Sequence, residues 1–209
     1  MKKYIFSVIL LAFILPPITF AQSVGLRGGL SLANGMYKLS SIRRQTHFMP
    51  GLTVGIVGDV PLSESVYLNS GFLFIKKGTK RHISDVDEKI PVRYLEIPVN
   101  FCYKFDFITW KLYGQAGPYT GIGLSAKRVR GDDKEKIEFG TELEQFKRMD
   151  YGVNFGLGVE LDNYTQISIN YGVGFRNFSN RFDEKIRNRV LTITVAYPIG
   201  EIVDFIRYL

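Results

Sequence analysis

Few side chains in this sequence could perform covalent chemistry. The chain contains one cysteine, Cys102, and two histidines, His47 and His82. A histidine can activate a neighbouring serine as a nucleophile, and His82 is close to Ser84 in the sequence. However, the spacing supplies no third residue that would orient the histidine, so this pair is a weak candidate for a lipase or deacylase. We therefore predict no catalytic residues.

Metal and cofactor sites are also poorly supported. Asp132, Asp133 and Glu135 offer carboxylate oxygens to a divalent cation, but they lack the ligand order of a calcium loop. One cysteine and two histidines cannot form a zinc site, and one cysteine cannot form an internal disulfide. The glycines of "GLRGG" do not make a nucleotide motif, because no helix follows them. No metal and no cofactor are predicted.

The remaining candidates are charged residues inside otherwise apolar segments. Arg27, Glu96, Glu160 and Arg176 each lie on the polar side of an alternating pattern. A buried charge needs a partner, so we predict a structural cluster of salt bridges. We place Arg27 and Glu160 at one level, and Glu96 and Arg176 nearer the opposite end. The alternative is a path for protons or small ions.

In the segments that carry these charges, apolar residues alternate with small or polar residues at a period of two. In "YGVNFGLGVELDN" (151–163), large apolar residues occupy one parity, and small or polar residues occupy the other. Such alternation indicates β-strands. Eight segments are predicted as strands: 24–34, 50–61, 66–78, 93–105, 110–127, 148–161, 165–178 and 187–199.

The connections between these strands alternate between short and long. The short ones are 59–65, 106–109 and 162–164. The long, charged ones are 35–49, 79–92, 128–147 and 179–186. An up-and-down barrel in a membrane has this arrangement, with tight turns at one end and extended loops at the other. An even number of strands returns the chain to the end where it started.

The polar face of the strands is rich in glycine and poor in long hydrated side chains. A soluble barrel or a lipocalin-like carrier would bury its bulky face and turn the polar face to water. Glycine suits the crowded interior of a narrow barrel, which side chains fill. We therefore predict an all-β, eight-stranded antiparallel transmembrane β-barrel with its bulky face towards lipid.

The N-terminus has the pattern of a secretory signal peptide. Lys2 and Lys3 precede an apolar run that ends near Ala21, with cleavage expected before Gln22. The predicted division is a signal peptide at 1–21, a barrel at 22–200 and a short tail at 201–209. Without the two lysines, 25 basic residues face 20 acidic ones, and these charges crowd into loops. We therefore predict no nucleic-acid partner.

Basic residues gather where the fifth predicted strand meets its long connection. Lys127, Arg128 and Arg130 would form a rim that could contact phosphates of outer-leaflet glycolipid. The alternative is an ordinary solvated loop.

Several stretches resemble the PorT-like porin family of Gram-negative outer-membrane proteins. These are "VGLRGGLSLANG", "GFLFIKKGTK", "YLEIPVNFCYKF", "YGVNFGLGVEL" and "NRVLTITVAYPIG". The resemblance covers roughly residues 22 to 200, and the tail "EIVDFIRYL" departs from it. It implies a small outer-membrane barrel, offers no catalytic residues to transfer, and links some members to protein secretion.

The sequence thus predicts a non-enzymatic outer-membrane barrel with a structural or interaction role, including support of secretion. Its expected partners are outer-membrane lipid and glycolipid, and envelope or secretion proteins. Two alternatives remain open: a small-solute pore, and a lipid-modifying membrane enzyme.

Overall fold

A computed structural model describes residues 23–39, 42–44, 46–83 and 86–199, and these form twelve β-strands. The predicted signal peptide and C-terminal tail lie outside the described residues. The strands are β1 Ser23–Ala33, β2 Met36–Leu39, β3 Ile42–Arg44, β4 Met49–Pro61, β5 Val66–Ile83, β6 Val86–Asp106, β7 Trp110–Arg130, β8 Asp133–Ile137, β9 Met149–Leu161, β10 Gln166–Gly174, β11 Glu184–Arg187 and β12 Arg189–Pro198.

Eight of these strands form a closed antiparallel ring. Their order is β6, β5, β4, β1, β12, β10, β9 and β7, and pairing of β6 with β7 closes the ring. Strands that follow each other along the barrel wall are neighbours, which is an up-and-down topology. Closure leaves no unpaired strand edge in the wall. The predicted eight-stranded antiparallel barrel is confirmed.

The bulky face of the strands points outward. Phe155 and Leu157, on the bulky face of β9, are 52% and 67% exposed. Arg27 and Glu160, on the polar faces of β1 and β9, are 4% and 1% exposed. Ile193 on β12 is likewise exposed at 46%. The barrel therefore has apolar side chains outside and polar ones inside, as the alternation predicts. The described residues contain no helix that is long and apolar enough to cross a membrane.

Inward-facing glycines make room for tyrosine rings from the next strand. Tyr113 on β7 lies opposite Gly158 on β9, and Tyr119 lies opposite Gly152. A Cβ at position 152 would stand 2.8 Å from the Tyr119 ring. Both tyrosines are almost fully buried. The glycines on the polar parity thus let large aromatic residues fill a narrow lumen.

Two of the predicted long connections need correction. Residues 79–83 form the end of β5 and residues 86–92 the start of β6, and β7 continues to Arg130 and pairs with β8. The charged residues here are paired across the hairpin: Arg81 lies opposite Glu88, and the two form an ion pair. Strands of 21 residues, such as β6 and β7, are about twice as long as a bilayer crossing requires.

The other two long connections also contain short strands. β2, β3 and β11 form a separate three-stranded sheet in the order β11, β2, β3. A buried apolar cluster lies at this end of the molecule, between that sheet and the extended parts of β6, β7 and β8. The long-connection end is therefore folded and has its own hydrophobic core.

The opposite end of the barrel has short turns and exposed aromatic rings. The rings of Phe107 and Trp110 are stacked with centroids 4.4 Å apart. Phe105, Tyr164 and Tyr197 are also exposed at this end. Aromatic residues at such positions are typical of the interface between lipid and water.

Candidate functional site

Buried ion pairs cross the lumen at the short-turn end. The Nζ atom of Lys104 on β6 lies 2.7 Å from Asp59 Oδ2 on β4 and 2.6 Å from Glu160 Oε2 on β9. All three side chains are at most 3% exposed. The ammonium group also lies 4.0 Å from the centre of the Tyr67 ring. One lysine thus holds together three strands from different sides of the barrel.

Gln166 and Arg27 complete this first network. Gln166 Nε2 donates hydrogen bonds to Asp59 Oδ2 at 2.6 Å and to Glu160 Oε2 at 2.8 Å. Arg27 Nη2 donates to Gln166 Oε1 at 3.1 Å. With Lys104, the network contains two cations and two carboxylates, so its formal charges balance. Balanced and hydrogen-bonded charges can remain buried without counterions.

A second network lies further along the lumen. The ammonium of Lys77 on β5 forms ion pairs with Glu96 on β6 and with Asp150 on β9, the latter at 3.2 Å. The centre of the Tyr119 ring lies 3.9 Å from Lys77 Nζ, which favours a cation at that position. Asn188 Nδ2 donates to Asp150 Oδ2 at 3.0 Å. These side chains close the lumen at a second level.

Little free space remains between the two networks. A cavity of about 30 Å³ is lined by polar side chains that include Asn100, Gln115 and Asn154. A water molecule needs about 10–15 Å³ of such space, so the cavity has room for about two waters. This space is too small for a hydrated ion or a metabolite to pass.

An apolar cluster, which we call the cap, covers the lumen at the long-connection end. We define the cap by seven residues of a larger buried cluster: Tyr37, Ile90, Val92, Ile137, Phe146, Phe178 and Ile186. Phe178 is fully buried, and its ring packs edge-on against Phe146 at 5.0 Å between centroids. The cap draws its residues from four strands and two connections. It forms a third barrier above the two charge networks.

Polar contacts hold the rim of the cap. Tyr37 Oη donates to Glu184 Oε1 at 2.8 Å, and burial together with this carboxylate raises the pKa of Tyr37. Arg130 Nη2 lies 2.8 Å from Glu88 Oε1, and Arg81 forms an ion pair with the same carboxylate. Burial raises the pKa of Glu88, but the two arginines outweigh burial and lower it overall. Glu88 is therefore an anionic anchor between two strands.

The four charged residues predicted to lie in the lumen are found at three separate sites. The structure brings Arg27 and Glu160 into the first network, where Gln166 links them. Glu96 lies in the second network with Lys77. Arg176 is not beside Glu96: its guanidinium carbon lies 5.7 Å from the ring of the exposed Tyr151. Because β10 ends at Gly174, the strand alternation no longer governs position 176.

The predicted basic rim is partly neutralised. Arg128 Nη1 lies 3.3 Å from Glu135 Oε2, and Arg130 is bound to Glu88. Lys127 is exposed on the outer face of β7. The positive charge available to an external phosphate is thus smaller than the sequence suggests.

The weak catalytic and metal candidates are also located by the structure, except Ser84, which lies outside the described residues. His82 is on the β5–β6 hairpin, with Nδ1 at 3.0 Å from Asp87 Oδ1. Hydrogen bonds with Lys80 and then His82 lower the pKa of Asp87 to about 2. Across the described residues, no group of three or more His, Cys, Asp or Glu side chains could hold a metal ion.

Sequence reasoning missed the four other charged members of the two networks. Lys77, Lys104 and Asp150 all have the inward parity of their strands, and that parity was the available signal. Asp59 lay in both the predicted strand 50–61 and the predicted connection 59–65, and the structure places it inside β4, which ends at Pro61 as predicted. Lysines are easily overlooked inside a lumen because they are rarely buried unless paired.

A family model described as "Outer membrane protein beta-barrel domain" matches residues 20–182. The match therefore includes seven of the eight wall strands and most of the cap. No curated protein matches the chain in sequence.

Several solved structures are similar to this chain. Neisserial surface protein A is 15% identical, with a TM-score of 0.48, covering 85% of this chain and 97% of its own. OprG from Pseudomonas aeruginosa is 13% identical, with a TM-score of 0.45, covering 85% and 96%. Ail of Yersinia pestis, in complex with the heparin analogue sucrose octasulfate, is 13% identical, with a TM-score of 0.39, covering 84% and 98%.

Proposed function

Because the chain belongs to the outer membrane protein β-barrel domain family, we propose that it is a non-conducting barrel with a structural and interaction role in the envelope. The observation that carries this proposal is the closed lumen. Two buried charge networks and the cap lie in series along the barrel axis. A barrel that fills its lumen with paired side chains gains rigidity, and its folded cap offers an ordered surface to partners.

Each barrier opposes conduction for a different physical reason. Moving Lys104 away from Asp59 and Glu160 would leave unpaired charges in a buried site, which costs several kcal/mol. The cap excludes water because Phe178 and Ile186 are fully buried among apolar neighbours. An ion would have to cross both kinds of barrier.

A small-solute pore is the second candidate. It is favoured by the polar cavity between the two networks, which Asn100 and Gln115 line. If both networks opened, this cavity would form part of a hydrophilic path. The two functions differ in one measurable property, which is ionic conductance.

Planar bilayer recordings test the choice. We expect the purified barrel to give no discrete conductance steps, whereas a 16-stranded porin inserted at the same density gives them because its lumen is open. Discrete steps from the wild-type barrel would overturn the non-conducting proposal. Steps that appear only in a Lys104→Ala variant would support it, because they would show that the ion pairs close the lumen.

We also propose that the protein is not an enzyme. His82, the histidine nearest a serine in sequence, is exposed on a charged hairpin and contacts Asp87. A membrane lipase needs its nucleophile and base at the edge of the apolar belt. Incubation with labelled phospholipid and glycolipid tests this: release of fatty acid that depends on His82 would overturn the proposal.

The finer assignment concerns secretion. We propose PorT-like membership on the basis of "GFLFIKKGTK" and "YLEIPVNFCYKF", which form parts of β5 and β6. Export by a cleaved signal peptide predicts a mature N-terminus at Gln22, which N-terminal sequencing can detect. Copurification from envelope membranes tests the partner: recovery of secretion components supports the assignment, and recovery of the barrel alone opposes it.

A further inference from the structure

A pocket of about 490 Å³ opens on the outer wall of the barrel, away from the lumen. Its floor is formed by outward-facing residues of three adjacent strands: Leu32 on β1, Leu191 on β12 and Tyr171 on β10. Leu32 is paired with Leu191, and Leu191 is paired with Tyr171. The three side chains therefore lie side by side at one level. A volume of this size falls in the range of about 300–1,000 Å³ that is typical of ligand sites.

The upper wall of the pocket is formed where the chain leaves β1 and returns to β4. Thr46, His47 and Phe48 line this side, together with Asn34. Thr46 Oγ1 donates to Asn34 Oδ1 at 2.5 Å, which ties the returning segment to the end of β1. Phe48 is 61% exposed and stands at the entrance. The segment forms an overhang above an apolar floor.

Arg189 supplies a cation to the pocket. It is the first residue of β12 and lines the pocket beside Leu191. Its Nε atom is buried and has no hydrogen-bond partner among the residues that the structure describes. The side chain as a whole is only half-buried, so an anion in the pocket can reach its guanidinium, whose hydrogen-bonding capacity the protein does not fully use. Carboxylates and phosphates suit the guanidinium best.

The level of the pocket relative to the apolar belt indicates which ligand can reach it. Arg189 and Tyr197 are about eight residues apart on β12, and Tyr197 belongs to the aromatic residues of the short-turn end. At a rise of about 3.4 Å per residue and a tilt of about 40°, they are separated by about 20 Å along the membrane normal. The apolar band of such barrels is about 25 Å tall. Arg189 therefore lies near the outer edge of the apolar band, within reach of the headgroups of the outer leaflet.

We propose that this pocket binds a phosphorylated glycolipid of the outer leaflet. An acyl chain lies against Leu32, Leu191 and Tyr171, and a phosphate accepts hydrogen bonds from Arg189. Only a lipid presents an apolar chain and an anion at this boundary at the same time. The site is separate from the lumen and from the cap, so it does not depend on the proposed non-conducting function.

Native mass spectrometry of the barrel in detergent tests the proposal, with a diphosphorylated, multiply acylated glucosamine disaccharide as the probe. We expect the wild-type protein to bind this lipid and to bind its dephosphorylated form at least about tenfold more weakly. Arg189→Gln should weaken binding of the phosphorylated lipid by about tenfold or more, the loss expected for one charge-assisted hydrogen bond. Inorganic phosphate should not compete at millimolar concentration, because it lacks the acyl chain.

Two further variants test separately how the charge and the shape of the pocket contribute to lipid binding. Arg93→Gln is the matched control, because Arg93 is an exposed arginine on β6, on the opposite side of the ring from β12. It should leave binding unchanged. Leu191→Trp fills the floor without altering charge and should also weaken lipid binding. Retention of the heat-dependent shift on gels shows that each variant is folded.

Three outcomes would overturn the proposal. Arg189→Gln and Arg93→Gln could have equal effects, which would mean that the basic residues act without a specific site. The dephosphorylated lipid could bind as well as the phosphorylated one, which would exclude phosphate recognition. Inorganic phosphate could displace the lipid, which would indicate a site for a free anion.

Discussion

The ring of Tyr113 occupies the space that a side chain at Gly158 would need. The two residues are directly opposite on β7 and β9. A Cβ at position 158 would lie 2.5 Å from Tyr113 Cζ and 2.6 Å from the carbonyl oxygen of Ile167. Tyr113 is 1% exposed, so its ring has nowhere else to go. The glycine of one strand and the tyrosine of the next form one packing unit.

Gly158→Ala should therefore destabilise the barrel. The added methyl group collides with a buried ring and with backbone, and overpacking of this kind costs about 1–3 kcal/mol. The free energy of unfolding in urea, measured in lipid or detergent, checks this. Gly28→Ala is the matched control, because nothing lies within 4 Å of its added Cβ. Equal stability of the two variants would contradict the packing argument.

Lys104→Met should be among the most destabilising substitutions in the lumen. It leaves Asp59 and Glu160 buried without their cation, and breaking a buried ion pair costs about 3–5 kcal/mol. Adding Glu160→Gln to this variant should recover part of the loss, because it removes one uncompensated charge. Urea unfolding measures both effects.

The control for this change is Lys111→Met on β7. Lys111 pairs with Asp106 at 3.0 Å, but both side chains are substantially exposed. An exposed pair contributes less than about 1 kcal/mol. If the double variant with Glu160→Gln were no more stable than Lys104→Met alone, unpaired charge would not be the cause of the loss.

Phe178→Ala should loosen the cap. Removing a fully buried phenyl ring leaves a cavity and costs about 3–5 kcal/mol at such a site. Because the cap can open without the barrel, we expect faster thermolysin cleavage within residues 131–148 while the heat-dependent gel shift is retained. Phe182→Ala is the control, because Phe182 is 93% exposed. Equal cleavage rates would argue against a packed cap.

The stability of the outer hairpin should depend on the charge of Glu88. Its pKa in the folded protein is lower than in the unfolded chain, because Arg81 and Arg130 outweigh burial. The stabilisation is therefore complete above a pH of about 4.5, the ordinary pKa of glutamate, and is lost as the pH falls through the lowered pKa of Glu88. Glu88→Gln should destabilise the protein at pH 7, and this difference should shrink towards pH 3.

Urea midpoints of the wild-type protein and of Glu88→Gln at pH 7 and pH 3 measure this dependence. Arg81→Gln is a second variant, because it removes one of the two cations that bind the carboxylate. It should reduce the pH dependence without abolishing it. A difference between the wild-type protein and Glu88→Gln that is the same at both pH values would show that charge plays no part.

The parity of residues along each strand was readable from the sequence alone. Side chains on a strand alternate between two faces, so Phe155 and Leu157 had to share a face that excludes Glu160. The scarcity of hydrated side chains on the glycine-rich face then predicted that the bulky face was outside. The number of barrel-wall strands and their order around the ring followed from the same alternation and from the spacing of the turns.

The long connections show where composition alone misleads. A charged segment such as 79–92 reads as a solvated loop when each residue is considered alone. In the folded protein Arg81 lies across from Glu88, and the two strands continue as a hairpin stabilised by ion pairs. Whether a charged side chain is solvated or paired depends on which residue lies opposite it on the neighbouring strand. The sequence alone does not give the register between the two strands.

The sequence by itself determined the class of fold, the inward or outward direction of each strand residue, and the need for the buried charges to be paired. Only the tertiary structure decided the partners: Glu96 meets Lys77 instead of Arg176, and Glu160 meets Lys104. The physical reason is that inward side chains meet across the lumen at heights set by the register of every strand pair around the ring. Periodicity specifies a direction for each residue, whereas closure of the ring specifies its neighbours.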